Sequence, residues 1–310
     1  MIAAPGAGMD ASGKVLSRMA SSPPDRPPPR AATARLLAPG LYVAATPIGH
    51  LGDISQRLRE TLASADLILC EDTRVAGRLL QAMAIDGVPL RRYDDHTGEQ
   101  VRPLVLSRLA AGEALVLISD AGTPLISDPG YKLVRAARDA GAAVMTVPGP
   151  CAAIAALSIA GVPTDSFTFR GFPPAKAGAR QRLIDRLAAT EETQIFYETG
   201  PRLAGFLTEI AARLGDDCPV VIARELTKRY EEVVDGAAAA LAKRYADAPP
   251  KGEIVVILPP QPPIEITEEE VEARMAKALQ SLSLKDAAAE VAAATGRKRR
   301  DLYQAWRDRT

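Results

Sequence analysis

Short apolar runs recur along this chain and alternate with stretches of helical period. Leu41–Ala45, Leu67–Cys70, Ala114–Ile118 and Ala143–Val147 are almost wholly apolar and end abruptly; Leu90–Tyr93 is a more polar run of the same kind. Runs this short, without polar alternation, predict strands buried on both faces of a parallel sheet. The segments between them, Ser55–Ser64, Arg74–Ala84, Glu99–Ala111 and Pro129–Ala140, read as helices. In the last, Leu133, Val134, Ala137 and Ala140 form one apolar stripe. Strands separated by single helices imply parallel βαβ units with right-handed crossovers.

Pro148-Gly149-Pro150 breaks the rhythm, so a domain boundary is expected there, between residues 40–149 and 150–260. Ala152–Ala160 reads as an Ala-rich, closely packed helix. Strands follow at Phe167–Phe169, Gln194–Glu198, Pro219–Arg224 and Glu253–Leu258, with helices at Gln181–Ala188, Pro201–Leu214 and Ala237–Tyr245. Tyr230–Asp235 is expected to add an antiparallel strand. Pro259–Pro263 reads as a linker, and residues 264–310 as a separate helical unit. In that unit Thr267–Glu270 and Ser283–Asp286 are capping boxes, Thr295-Gly296 is a helix stop, and a third helix carries Leu302, Tyr303 and Trp306. Two helices joined by a Gly-containing turn resemble a helix-turn-helix. Residues 1–39, rich in Ala, Pro, Ser and Arg, lack the apolar core of a signal peptide and are expected to form a disordered tail. The fold class is therefore α/β, with two α/β domains and a helical tail.

Composition narrows the classes. The 310 residues carry 38 Lys plus Arg against 38 Asp plus Glu, so net charge makes no case for nucleic acid and any RNA site must come from local clustering. Cys70, Cys151 and Cys218 are far apart and suggest neither a disulfide framework nor a C-x-x-C pair, which fits a reducing cytoplasm. With His50 and His96 as the only histidines, a His/Cys zinc site is not expected. No apolar run approaches the length of a membrane span.

The candidate chemistry sits where strands end. After Ala114–Ile118 the chain makes a tight turn, Ser119-Asp120-Ala121-Gly122-Thr123-Pro124, in which Gly122 permits a positive φ or a close approach to a ligand. Asp128-Pro129-Gly130 reads as an N-cap followed by Pro at the first helical position. Ligands of open α/β sheets bind at the carboxyl ends of the strands. Neither G-x-G-x-x-G nor G-x-x-x-x-G-K-[ST] is present in this loop, which sets aside the usual dinucleotide and phosphate cradles. Glu71-Asp72-Thr73-Arg74 ends another strand. Asp72 or Thr73 would make a good N-cap there, while Glu71 and Arg74 offer a base and a phosphate contact. The run Arg297-Lys298-Arg299-Arg300 opens the last helix and suits phosphates.

Ser119–Gly130, SDAGTPLISDPG, resembles the signature of the tetrapyrrole-methylase superfamily. Ala45–Gly49, Cys70–Arg74, Pro148–Ile154, Phe196–Glu198, Ala223–Lys228 and Lys251–Glu253 resemble, in order, its ribosomal RNA branch, the 16S rRNA cytidine 2′-O-methyltransferases. The likeness runs from about Leu41 to about Leu258, with a matching helical tail. It implies S-adenosylmethionine as cofactor, held in a cleft between the two domains. It also implies 16S rRNA in the 30S subunit as acceptor, a homodimer, and no metal. Cofactor contacts are then expected from Pro47, Asp120, Ala121, Gly122, Thr123, Pro124, Asp128 and Pro148 in the first half. In the second half they are expected from Cys151, Ala152, Ala153, Tyr197, Glu198, Ala223, Arg224 and Gly252. RNA contacts are expected from His50, where the branch more often has Asn, and from Arg74 and Arg297–Arg300. The catalytic groups are expected to be Glu71 or Asp72 on one wall and Arg224 or Lys228 on the other. Two other readings stand beside this one: a tetrapyrrole C-methyltransferase of the same fold, and a non-catalytic RNA-binding factor. Glu71–Arg74, the Thr46-Pro47 loop and the basic tail speak against the first. The intact cofactor loop speaks against the second.

Overall fold

Each buried strand divides its side chains between two helix layers, and that division organises the first half of the protein. In the computed structural model, which describes residues 37–188, 190–261, 268–295 and 297–307, five parallel strands form one sheet: β1 (Gly40–Ala44), β2 (Leu67–Cys70), β3 (Leu90–Arg92), β4 (Ala114–Leu117) and β5 (Val144–Val147). Their order is β3-β2-β4-β1-β5, and every adjacent pair is parallel. All residues of β2 and β4 are buried. Ile68, Cys70 and Val116 face one core, shared with helices α1 (Gln56–Ser64) and α2 (Thr73–Ala82). Leu67, Leu69, Leu115 and Leu117 face the other, shared with α3 (Gly98–Ala110) and α4 (Tyr131–Asp139). The period-two alternation thus explains why these strands are apolar throughout: both faces are covered.

The second half begins with α5 (Ala152–Ile159) and builds another five-stranded sheet from β6 (Phe167–Gly171), β7 (Thr193–Thr199), β8 (Pro219–Arg224), β9 (Glu232–Ala237) and β10 (Glu253–Leu258). Its order is β6-β7-β10-β8-β9. Only β6 and β7 are parallel; β10 runs antiparallel between β7 and β8, and β9 is antiparallel to β8. Helices α6 (Ala177–Leu187), α7 (Gly200–Leu214) and α8 (Ala238–Asp247) cover one face around Phe196, Ile222 and Val256. The other face, with Ile195, Val221, Ala223 and Val255, packs on Ala153, Ala156 and Leu157 of α5 and on Ile48. The small residues of α5 let it lie close to that sheet.

The helical tail, α9 (Glu268–Ala278), α10 (Leu284–Thr295) and α11 (Arg299–Arg307), has a core of its own around Val271, Met275, Ala288, Val291 and Leu302. Ser283 caps α10 as its box predicts: its Oγ accepts from Asp286 N–H at 3.2 Å and donates to the Asp286 carboxylate at 2.6 Å. The expected N-terminal tail up to residue 36, the Thr267 cap, the Gly296 stop and the last two residues of the Pro259–Pro263 linker lie outside the described residues. Among the described residues no helix is long and apolar enough to cross a membrane.

Two local expectations are corrected. Asp128 does not cap α4, which starts at Tyr131 after Gly130 at φ +134° and has no side-chain cap. Gly130, whose φ and close approach to Leu117 Cδ2 (2.9 Å from an added Cβ) admit no side chain, is the residue at the helix start, so the helix begins after it and Asp128 stays in the loop. And α6 starts at Ala177, four residues before the expected Gln181, because the Lys176 carbonyl already accepts from the N–H groups of Ala179 and Arg180, each at 3.0 Å, and closes a first turn there.

Candidate active site

The turn after β4 is anchored before it reaches any ligand. Thr46, just past β1, exchanges backbone hydrogen bonds with Gly122 at 2.8 and 3.1 Å. Its hydroxyl donates to the Ser119 carbonyl at 3.2 Å, and the Thr123 hydroxyl donates to the Pro150 carbonyl at 2.8 Å. Gly122 uses the positive φ that the sequence anticipates, +81°. Leu125 and Ser127 also lie in the left-handed region, at φ +73° and +67°, a strained backbone of the kind that clusters at functional sites.

This turn forms one wall of a cleft of about 280 Å³. Glu71, Asp120, Ala121, Gly122, Thr123 and Asp128 line it from the first half. The ends of β7 and β8, the start of β10 and the first residues of α5 bring Cys151, Ala152, Tyr197, Ala223 and Gly252 to the other side. Tyr197 accepts a hydrogen bond from Ala153 N–H at 3.2 Å and stands edge-on to Phe169 and Phe172, with ring centroids 4.9 and 5.8 Å away. Gly252, at φ +96°, lets Glu225 pass so closely that any Cβ would overlap its carboxylate.

Several expected residues stand elsewhere. Pro124, Pro148, Ala153 and Arg224 are not among the walls of this cleft. The Arg224 guanidinium is turned to Glu232 at 3.1 Å. Glu198 borders the cleft, but alternation along β7 sends its carboxylate to the face opposite Tyr197, beside Arg202 Nε at 3.4 Å. Pro47 and Lys228 line a neighbouring groove, and the Lys228 ammonium is held by Glu225 and Glu253, each at 2.9 Å. His50 Nδ1 accepts from Gly52 N–H at 2.9 Å and so closes its own turn. Arg297 to Arg300 are all exposed on the tail, and Arg297 reaches Glu268 at 2.8 Å. Pattern reading did not single out Ile126, Phe172, Leu226 and Val255, the apolar walls of the cleft. Ile126 and Leu226 lie inside the stretches that carry the family likeness, but nothing there marks them as walls, because an apolar wall needs only volume and position.

The two candidate acids of the β2–α2 corner differ. Asp72 is the N-cap of α2, accepting from Arg74 N–H at 2.8 Å, and its carboxylate is forked by the Arg74 side chain at 2.6–3.2 Å. Those bonds hold it below the usual carboxylate range. Glu71 is half-buried and makes no ion pair among the described residues. Burial, then the charges of Asp128 and Asp120, push its pKa up to about 7. Burial likewise raises Asp128 to about 6, with Asp120 adding to it. Asp120 is raised too, chiefly by burial, although it accepts from Asp72 N–H at 3.2 Å. Three carboxylates thus line one cleft whose described walls carry no Lys or Arg, a set suited to a cationic ligand.

That cluster has a consequence for stability. The folded protein keeps protons on Glu71 and Asp128 that the unfolded chain has lost, so these groups lower stability as pH rises from about 4.5 to about 7. Glu71→Gln is expected to flatten that decline when thermal midpoints are compared at pH 5 and 7.5. An unchanged slope would exclude Glu71 as a contributor.

The comparisons with known proteins agree with this architecture. A family model described as tetrapyrrole (corrin/porphyrin) methylases matches residues 40–242, and one described as the RsmI C-terminal HTH domain matches residues 265–306. The ribosomal RNA small subunit methyltransferase I of Mesorhizobium japonicum is 43% identical over 276 residues, 87% of this chain and 92% of that relative. The protein of the same name from Erythrobacter litoralis is 47% identical over 271 residues, 87% and 95% of the two chains. Among solved structures, a cobalt precorrin-4 methyltransferase superposes with a TM-score of 0.53 at 19% identity, covering 70% of this chain and 93% of that one, which speaks for the fold. The chain therefore belongs to the tetrapyrrole methylase family, on the branch of the ribosomal RNA small subunit methyltransferase I proteins.

Proposed function

We propose that the protein, as a cytoplasmic homodimer, transfers a methyl group from S-adenosylmethionine to the ribose 2′-hydroxyl of a decoding-centre cytidine in 16S rRNA of the 30S subunit. The observation that carries this reading is the joining of two spaces at one acidic corner. Glu71 and Asp120 line the cleft and also an outer groove that holds Arg74 and Arg92, each paired there with an aspartate, Asp72 and Asp94. The relatives' names favour this acceptor over a tetrapyrrole. Apolar Ile154, Ile159 and Phe167, exposed on α5 and the edge strand β6, support the dimer.

The cleft fits the cofactor by the chemistry of its walls. The cofactor supplies a methyl group already activated on a positively charged sulfur, and Asp120, Asp128 and Glu71 complement that charge. The start of α5, where Cys151 gives no side-chain cap, suits the methionine carboxylate. Tyr197, Ala223, Leu226 and Val255 offer apolar surface to the adenine. Holding donor and acceptor in line is the protein's main task, and good orientation lowers such a barrier by about 7–11 kcal/mol. A 2′-hydroxyl is a weak nucleophile, so a nearby proton acceptor helps further.

The test uses 30S subunits lacking their decoding-centre ribose methylation, labelled S-adenosylmethionine, and protein from a peak whose mass is twice the chain's 32.8 kDa. Mass spectrometry of the digested RNA is expected to place one methyl on one cytidine ribose. Cofactor binding without transfer to RNA would point instead to a tetrapyrrole acceptor. No cofactor binding would leave only the RNA-binding reading, and activity from a monomer alone would remove the dimer.

A further inference from the structure

We infer that Glu71 takes the proton of the ribose hydroxyl, and that the Glu71–Asp120–Asp128 cluster couples this proton to the charge of the cofactor. The inference rests on the proposed methyltransferase reading and deepens it. Of the acids at the β2–α2 corner, Asp72 is committed to capping α2 and to Arg74. Asp120 stands at both spaces, but one carboxylate oxygen already accepts from the Asp72 backbone. Asp128 lines the cleft but not the outer groove. Across the cleft, Glu225 and Glu253 are held by Lys228. Glu71 and Asp120 both line the two spaces and neither makes an ion pair among the described residues, but Asp120 already accepts from the Asp72 N–H, which leaves Glu71 as the acid at the corner for the acceptor.

The groups facing Glu71 and its neighbours come from every element packed around it. Asp120 and Asp128 lie on the loop after β4, Cys70 precedes it on β2, Asp72 follows it, and Asp94 follows β3. Tyr197 and Cys151 stand across the cleft. The cations near the corner are engaged or more distant: Arg74 pairs with Asp72 at 2.6 Å and Arg92 with Asp94 at 2.6 Å, while Arg78 acts on Asp120. The corner is therefore short of positive charge, and like charges this close do not all ionise near neutrality. A cationic ligand in the cleft removes that obstacle and frees Glu71 of its proton, leaving a carboxylate beside the acceptor. In the transfer, the ribose oxygen bonds the methyl carbon, the carbon–sulfur electron pair stays on sulfur, and the hydroxyl proton passes to Glu71. A sulfonium and a carboxylate become a neutral thioether and a neutral acid, so charge is annihilated beside the acidic cluster. Glu71 then returns its proton to water as the cleft is reloaded with a cation.

The experiment is calorimetry on the full chain near pH 6.5, in two buffers of different ionisation enthalpy. S-adenosylmethionine is compared with S-adenosylhomocysteine, which lacks the sulfonium. The cationic ligand is expected to release measurably more protons than the neutral one. Glu71→Gln is expected to bind both and to lose most of that difference, the remainder coming from Asp128, and Glu71→Asp to keep more of it. Equal release by both ligands in the wild-type chain would overturn the inference on its own, as would a difference left undiminished in Glu71→Gln. The 30S assay separates the two ideas. Transfer by a wild-type chain with no charge-linked proton sinks only the inference. A wild-type chain that binds neither ligand sinks the proposed function with it.

Discussion

Phe196→Ala is expected to lower the stability of the protein by about 3–5 kcal/mol, the usual cost of emptying a fully buried aromatic site. Phe196 has no solvent exposure and stacks edge-on against Phe206 of α7, with ring centroids 5.3 Å apart. Its strand, β7, is the second of five and carries Ile195 and Tyr197 on the opposite face. The cavity would therefore open directly behind the cleft. Differential scanning calorimetry should show the midpoint falling by about 10 °C. A loss under about 1 kcal/mol would mean that the layer of α6, α7 and α8 is not packed as described.

Gly252→Ala is expected to cut methyl transfer by about a hundredfold, the scale of loss when reacting groups are displaced by about 1 Å. At φ +96° a side chain is strained, and here it would also collide with Glu225. That carboxylate is not free to swing away. It accepts from Glu253 N–H at 3.1 Å and from Lys228 Nζ at 2.9 Å, and Glu225 itself sits at φ +51°. Moving it shifts the start of β10 and the turn after β8, both walls of the cleft. The fault should appear as weaker cofactor binding by calorimetry, with the thermal midpoint less affected than in Phe196→Ala. Wild-type affinity in Gly252→Ala would show that the cleft tolerates movement of its far wall.

The sequence by itself determined the alternation of elements, the parallel character of the first sheet, the small-residue turn after β4, and the capping of α10. Each is written locally, in strand-length apolar runs, Gly and Pro at turns, and Ser or Asp at helix starts. Asp72 as a helix cap was legible for the same reason. The family likeness rests on short stretches that lie at strand ends, and the walls of the cleft come largely from those stretches. Only the tertiary structure decided that β10 inserts antiparallel between β7 and β8, because pairing partners distant in sequence leave no mark in local periodicity. It also decided which of two adjacent acids is free. Glu71 and Asp72 look alike in the chain. Arg74 claims one of them, and the burial of the other beside Asp120 and Asp128, 48 or more residues away, shifts its charge. The direction of Glu198, the turning of Arg224 toward Glu232 and the apolar walls at Ile126, Phe172 and Leu226 belong to the same class. They follow from how two sheets meet, which is a property of packing and not of any one segment.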